Sequence, residues 1–229
     1  EETIYPTDIG CYTLGFLPPL AMGDFLICMG SSVSTASGFS KATDKKVISF
    51  IGDSTFFHSG LTGLVNAVYN NHNFTLVILD NGTTAMTGHQ PNPGVDMGNF
   101  NLSGYGRISI EAVVRAIGVE HVTVIKPYKV KKSIAAVKTA LDHKGVSVII
   151  SQEMCTLYAR GLNQLNVRAF SVTDKCKNHR DCINEIACPA FYLDGERVQI
   201  NANTCVGCAV CAQICPENAI TPVKVKQAG

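Results

Sequence analysis

Seven of the ten cysteines lie between Cys176 and Cys215, and four of them run Cys205-x2-Cys208-x2-Cys211-x3-Cys215 with Pro216 behind. Thiolates at this spacing hold 4Fe–4S clusters, the first three sharing one cluster and the fourth crossing to a second. Zinc sites seldom pack four cysteines so closely ahead of a proline, so iron–sulfur is preferred over zinc. Upstream, Cys176, Cys182 and Cys188-Pro189 nearly repeat the run, with His179 where x2-x2 spacing puts the second cysteine. Crossed ligation assigns Cys188, Cys205, Cys208 and Cys211 to one complete 4Fe–4S cluster. It assigns Cys176, Cys182 and Cys215 to the other, with His179 as candidate fourth ligand. Histidine can ligate cluster iron and raises its potential. The alternative is a solvated loop His179 beside a 3Fe–4S cluster or an open iron site.

A second chemistry sits in the first half of the chain. Gly52-Asp53-Ser54 ends the apolar run Val47–Ile51, and Asp80-Asn81 ends the run Thr75–Leu79. Runs apolar at every position read as strands of a parallel sheet covered on both faces. The ends of neighbouring parallel strands are where open α/β sheets bind ligands. A carboxylate and an amide carbonyl, both hard oxygens, suit magnesium that also holds a phosphate. Gly52 would let the backbone approach a diphosphate, and Ser54 could donate a hydrogen bond to it.

The elements that must hold these groups follow from the same patterns. Residues 1–24 are broken by Gly10, Gly15, Pro18, Pro19 and Gly23 and are predicted irregular. Phe25–Met29 reads as a short buried strand and Gly30–Ser40 as a helix. Apolar residues at helical spacing over Ser59–Tyr69 make the crossover between the two site strands, a βαβ unit. The glycine- and proline-rich stretch 81–107 is long enough to be a functional loop. A helix over Ile110–Ile117, a strand over Val119–Ile125, a helix over Tyr128–Asp142 and a strand over Val146–Ser151 complete the domain. Among the histidines, His72, His121 and His143 fall at loop or helix ends and are expected at the surface, whereas His58 and His89 fall in the motif loops, where they could polarise a substrate or shuttle a proton. Asp194-Gly195, inside Phe191–Ile200, marks a tight hairpin. Small Gly207 would let backbone N–H groups approach cluster sulfides. The fold class is α/β, residues 1–168, followed by a small α+β ferredoxin-type domain, residues 169–229.

The wording around the strand ends resembles one family. Asp8-Ile-Gly-Cys11-Tyr-Thr-Leu-Gly15, Met29-Gly30, Gly52-Asp-Ser-Thr-Phe-Phe-His58-Ser-Gly60 and Asp80-Asn-Gly-Thr-Thr-Ala-Met-Thr-Gly-His89-Gln90 are similar to the large subunit of indolepyruvate:ferredoxin oxidoreductases. That subunit ends in a thiamine diphosphate domain followed by a two-cluster ferredoxin domain. The generic thiamine motif is only partly matched, since Ser54 replaces a glycine and Asp80 an asparagine. The resemblance implies that Asp53 and Asn81 ligate Mg2+ through their side chains and Thr83 through its carbonyl. Gly10, Cys11, Met29 and Gly30 would line the thiazolium and aminopyrimidine, with a small buried thiol as the other reading of Cys11. The implied reaction is oxidative decarboxylation of an aryl 2-oxo acid with coenzyme A, electrons leaving singly to ferredoxin. Pyruvate or 2-oxoglutarate as substrate, or a non-catalytic electron carrier, are the alternatives. The implied partners are a small (beta) subunit and a pyrimidine-binding domain, upstream or on another polypeptide, without which the chain is expected to be inactive.

Composition narrows the setting. A formal charge of +1 provides no field for nucleic acid or an anionic membrane. No apolar run approaches the ~20 residues needed to span a bilayer, and no signal sequence is expected ahead of the fold. The expectation is a cytoplasmic protein whose crowded cysteines bind metal rather than pair as disulfides.

Overall fold

The computed structural model describes residues 2–96, 106–164 and 168–223. The expected parallel sheet is present, built from β1 (Thr3–Ile4), β2 (Lys46–Gly52), β3 (Thr75–Asp80), β4 (His121–Ile125) and β5 (Ser147–Gln152). Their order is β1-β2-β3-β5-β4, and every neighbouring pair is parallel. Alternation along each strand sorts its side chains between two layers. Val47, Ile51, Leu76, Ile78, Val148 and Ile150 pack with Val33, Leu64 and Val114 from α1 (Ser31–Ala42), α3 (Leu61–Tyr69) and α4 (Ile110–Ile117). Ile48, Val77 and Ile149 pack on the other face with Ala140, Val137 and Leu141 of α5 (Val130–Asp142). Burying each of these aliphatic side chains stabilises the fold by about 1.5–3 kcal/mol before entropy is counted.

Residue 53 starts a helical run directly at the end of β2. A single turn, α2 (Asp53–Thr55), passes into a π-helical turn, Phe56–Gly60, and then into α3. Such π turns widen the backbone ladder and recur at functional sites. The crossover helix therefore begins six residues earlier than its apolar spacing indicates, because Asp53, Ser54 and Thr55 form its first turn without apolar periodicity.

The Phe25–Met29 run is not the buried strand expected. Only Phe25 makes a bridge, to Pro6, and all five residues are exposed. The edge position beside β2 is filled instead by β1, a two-residue strand within the stretch read as irregular. His72, His121 and His143 are half-buried rather than at the surface, with His121 and His143 stacked at 5.2 Å. Residues 97–105 of the long loop lie outside the described residues.

By contact, the chain divides into one unit of Glu1–Phe16 with Met22–Tyr158 and a second of Leu17–Ala21 with Ala159–Gly229. After α6 (Thr156–Gly161), the second unit pairs β6 (Phe170–Val172) antiparallel with β9 (Ile220–Pro222). Between them lie the short helix α7 (Asp181–Asn184), the hairpin of β7 (Phe191–Asp194) and β8 (Arg197–Ile200), and the helix α8 (Val210–Ile214). The tight hairpin is present, but Asp194 pairs with Arg197, so the turn is Gly195-Glu196 with Gly195, at φ 60°, first, one residue later than an Asp-Gly turn would place it.

Gly207 has a packing role beyond the one expected of it. Its φ is 72°, and a Cβ there would sit 2.9 Å from the carbonyl oxygen of Arg168. Gly207→Ala is expected to destabilise the second unit by about 1–2 kcal/mol from the left-handed backbone alone, with the clash adding to it. Loss of visible cluster absorbance on heating would occur at a lower temperature than in the wild type.

Candidate functional site

The ends of β2 and β3, with the segment after β1, enclose a cavity of about 250 Å³. Gly10, Cys11, Met29, Gly52, Asp53, Ser54, Asn81 and Thr83 all line it, so eight of the nine residues assigned to the cofactor share one cavity. Gly30 does not line it: at φ 84° it is packed against Ser59. Cys11 is exposed, not a buried thiol.

Asp53 is the electrostatic centre of the cavity. It is 3% exposed. One carboxylate oxygen accepts from the Ser54 amide at 2.7 Å and the other from the Gly82 amide at 3.2 Å. Burial pushes its carboxyl up to about 6, against the pull of the Ser54 amide and the Asn92 side chain, with Asp80 adding to the rise. Among the described residues no lysine or arginine pairs with it. A buried carboxylate in this position is one that a bound cation would stabilise.

Asn81 makes a local turn, its Oδ1 accepting from the Thr83 amide at 3.1 Å, while its own carbonyl accepts from the Cys155 amide. Gln152 at the end of β5 donates to Asp80 at 3.0 Å. The end of β3 that carries Asn81 is thus held by β5 as well as by β2.

Three site residues were not legible as such. Asp8, fully buried, accepts from the amides of Ile9, Gly30 and Ser32, capping α1 from 22 residues away and tying the Gly10–Cys11 wall to the Met29 wall. Tyr12 lines the cavity and its phenol oxygen accepts from the Gly52 amide at 3.0 Å. Burial raises that phenol well above its ordinary range, and the charges of Asp8 and Asp53 add to the effect. Asn92 is buried with its Oδ1 accepting from Gly94, and its Nδ2, facing Asp53, lies outside hydrogen-bonding geometry. Tyr12→Phe leaves the Gly52 amide without its acceptor. It is expected to weaken diphosphate binding by about tenfold, the worth of one such bond, with little change in fold by circular dichroism.

The two motif histidines lie off the cavity lining. His58, in the π turn and exposed, contacts the Ser59 hydroxyl at 3.0 Å, and Ser59 in turn donates to the Met29 carbonyl. His89, at φ 68°, stacks on Tyr158 at 5.3 Å, with Nδ1 enclosed and without a hydrogen-bond partner among the described residues.

In the second unit the cysteines fall into two sets. Cys208 and Cys211 sit close enough to Cys188 and Cys205 to feel their charge, and Cys182 likewise feels Cys176 and Cys215. Burial raises the thiols of Cys182 and Cys208, and pushes Cys211 up to about 12. Thiolates so placed become favourable once iron supplies the positive charge. Amides of Asn178 and Ala219 point at the sulfurs of Cys176 and Cys215, both at 3.4 Å. Cys176, His179, Cys182 and Cys215 line one cavity. Among the described residues no three His, Cys, Asp or Glu side chains converge on a single ion-sized point. A 4Fe–4S cluster distributes its four ligands over different irons and needs no such point.

Comparison with known proteins agrees with this geometry. Residues 8–151 match the C-terminal TPP-binding domain of thiamine pyrophosphate enzymes, more than half of the chain. The chain belongs to that family. Residues 198–221 match a 4Fe–4S binding domain. The chain is 48% identical over 225 residues to indolepyruvate oxidoreductase subunit IorA of Archaeoglobus fulgidus, covering 97% of this chain and 36% of that protein. It is 41% identical over 245 residues to the subunit of the same name from Thermococcus kodakarensis, covering 97% and 37%. The chain therefore spans little more than a third of the length of these relatives. A solved 2-oxoglutarate:ferredoxin oxidoreductase from Magnetococcus marinus shares the fold with a TM-score of 0.59, over 67% of this chain and 54% of that one, at 19% identity. Among the described residues no helix is long and apolar enough to cross a membrane.

Proposed function

We propose that this chain is the thiamine diphosphate and iron–sulfur part of a cytoplasmic 2-oxo acid:ferredoxin oxidoreductase acting on an aryl 2-oxo acid of the indolepyruvate type, with coenzyme A as acyl acceptor. The observation that carries the reading is the presence in one chain of the Asp53–Asn81–Thr83 cavity and two groups of neighbouring cysteines, one of them largely within a 4Fe–4S binding domain match. Thiamine diphosphate, when bound, supplies an electron sink for decarboxylation, and the clusters supply one-electron acceptors leading to ferredoxin. A decarboxylase that reprotonates its product has no need of the latter.

The roles of the chain's own residues follow from their chemistry. Asp53, Asn81 and the Thr83 carbonyl would hold Mg2+ with hard oxygens. Ser54 and the amides at the start of α2 offer donors to the diphosphate, and Tyr12 keeps the Gly52 amide paired. Cys11 and Met29 line the cavity and would form an apolar wall beside the thiazolium and aminopyrimidine. His58, linked through Ser59 to the Met29 carbonyl, is the nearer of the two histidines to that wall in hydrogen-bond terms. Exposed Leu14, Phe16, Met22, Phe25, Leu26 and Ile27 lie in the chain between two groups of cavity-lining residues, Ile9–Tyr12 and Met29, without lining the cavity themselves. We take them to be covered by a pyrimidine-binding unit, and a small subunit to complete the enzyme, in keeping with relatives much longer than this chain.

The test is reconstitution under anaerobic conditions with those partners, followed by ferredoxin reduction with indolepyruvate, pyruvate and 2-oxoglutarate in parallel. A kcat/KM at least tenfold higher for indolepyruvate is expected. Preference for either aliphatic acid would overturn the substrate assignment while leaving the reaction class in place. Cluster reduction with no thiamine diphosphate requirement would instead favour a plain electron carrier.

A further inference from the structure

The two cysteine runs share a backbone signature. In the second run Gly207 (φ 72°) and Ala209 (φ 61°) flank Cys208, and α8, which contains Cys211, follows at once. In the first run Asn178 (φ 62°) and Arg180 (φ 68°) flank His179, and α7, which contains Cys182, follows at once. Left-handed backbone costs a non-glycine residue such as Arg180 or Ala209 about 1–2 kcal/mol, while Gly207 adopts it freely, so the same pair of left-handed positions around one residue in both loops reflects what that residue must present. His179 occupies in the first loop the place that Cys208 occupies in the second.

The environment of the imidazole adds a second constraint. His179 lines the cavity shared by Cys176, Cys182 and Cys215. Its Nε2 lies 3.1 Å from one carboxylate oxygen of Glu217, and the other oxygen of Glu217 lies 3.2 Å from the Lys177 ammonium. An ionised carboxylate only accepts, so the proton of this contact is on Nε2. In the neutral ring the lone pair is then on Nδ1, the nitrogen nearer the backbone. Metal-bound histidines commonly donate their second N–H to a carboxylate in this way, which fixes the tautomer and makes the ring a stronger ligand.

We propose that Glu217 is a positioning residue for the second cluster, holding His179 in the tautomer and orientation that present Nδ1 to iron. The proposal rests on the reading of His179 as the fourth ligand. Glu217 follows Cys215-Pro216 directly, so one turn of chain would supply both a ligand of the cluster and the orienting partner of another. Lys177 keeps the carboxylate charge balanced on its solvent side. An anionic partner on the imidazole pushes electron density toward the iron, so it should lower the potential of this cluster relative to a neutral partner.

The experiment uses the 229-residue chain, reduced anaerobically, with histidine labelled with 15N at Nδ1. Pulsed EPR should show strong 15N coupling from one imidazole to one of two clusters. Glu217→Gln should keep iron and sulfide at wild-type levels, shift the midpoint potential of the histidine-coupled cluster upward, and leave the other cluster unmoved. Glu217→Asp should return the potential toward the wild-type value. Absence of imidazole coupling in the wild type would overturn the ligand reading and the proposal with it. Coupling through Nε2, which needs no variant to detect, would overturn the proposal alone. So would an unchanged potential in Glu217→Gln.

Discussion

Asp53→Asn is expected to abolish magnesium-dependent binding of thiamine diphosphate and, at the same time, to make the ligand-free chain more stable at pH 8. The first effect follows from removing the one anionic ligand of the proposed metal site. Loss of a charged ligand from a buried site should weaken binding by about a hundredfold or more. The second follows from burial, which pushes the Asp53 carboxyl from 3.8 to about 6. The folded chain therefore holds a proton that the unfolded chain releases near pH 4. Stability from this group is fully present below that pH and is lost as pH rises through about 6. A shift of about two pK units corresponds to about 3 kcal/mol, an upper figure because the cavity admits water. The Asn side chain keeps an acceptor for the Ser54 amide but turns an N–H toward the Gly82 amide, which costs about 1 kcal/mol. The net gain at pH 8 should be about 1–2 kcal/mol by chemical denaturation, falling as the pH is lowered and turning into a loss of about 1 kcal/mol or less near pH 4. A variant that still binds the cofactor with wild-type affinity would remove Asp53 from the metal site.

Cys205→Ala should have the largest effect on the second unit. Cys205 is buried against Phe170, Ala190 and Ile220, with Cys182, Cys188, Cys211 and Cys215 around the same core. As a packing change alone, losing one sulfur costs about 1 kcal/mol. A unit of this size builds little apolar core of its own, and cluster binding energy is folding energy in such cases. Iron and sulfide should therefore fall by about half or more, and the second unit should become protease-sensitive, while the first still binds thiamine diphosphate. Full iron content in the variant would show that Cys205 is not a ligand.

How far these sites could be read beforehand depended on whether the signal was local. The apolar strands β2, β3 and β5 and the hairpin marked by Asp194-Gly195 have signals contiguous in sequence; the strands appear where the pattern places them, and the hairpin turn lies one residue later. The contribution of Asp8 was not readable, because a lone aspartate in a glycine-rich segment gives no sign of the helix terminus 22 residues away that it caps. Tyr12 is similar, reaching the Gly52 amide across 40 residues. Phe25–Met29 failed for the opposite reason: an apolar run has the composition of a buried strand whether or not its own chain covers it, and here it does not. His179 lies between these cases. Register alone suggested it, and the left-handed residues on either side, invisible in composition, give it the same backbone setting as Cys208.

The most direct test of the joint reading is calorimetric titration of the anaerobic, cluster-loaded chain with thiamine diphosphate at pH 8, with magnesium and then with excess chelator. One saturable site per chain is expected with magnesium, abolished by the chelator and absent in Asp53→Asn. No binding at millimolar thiamine diphosphate in the presence of magnesium, with both clusters intact, would contradict it.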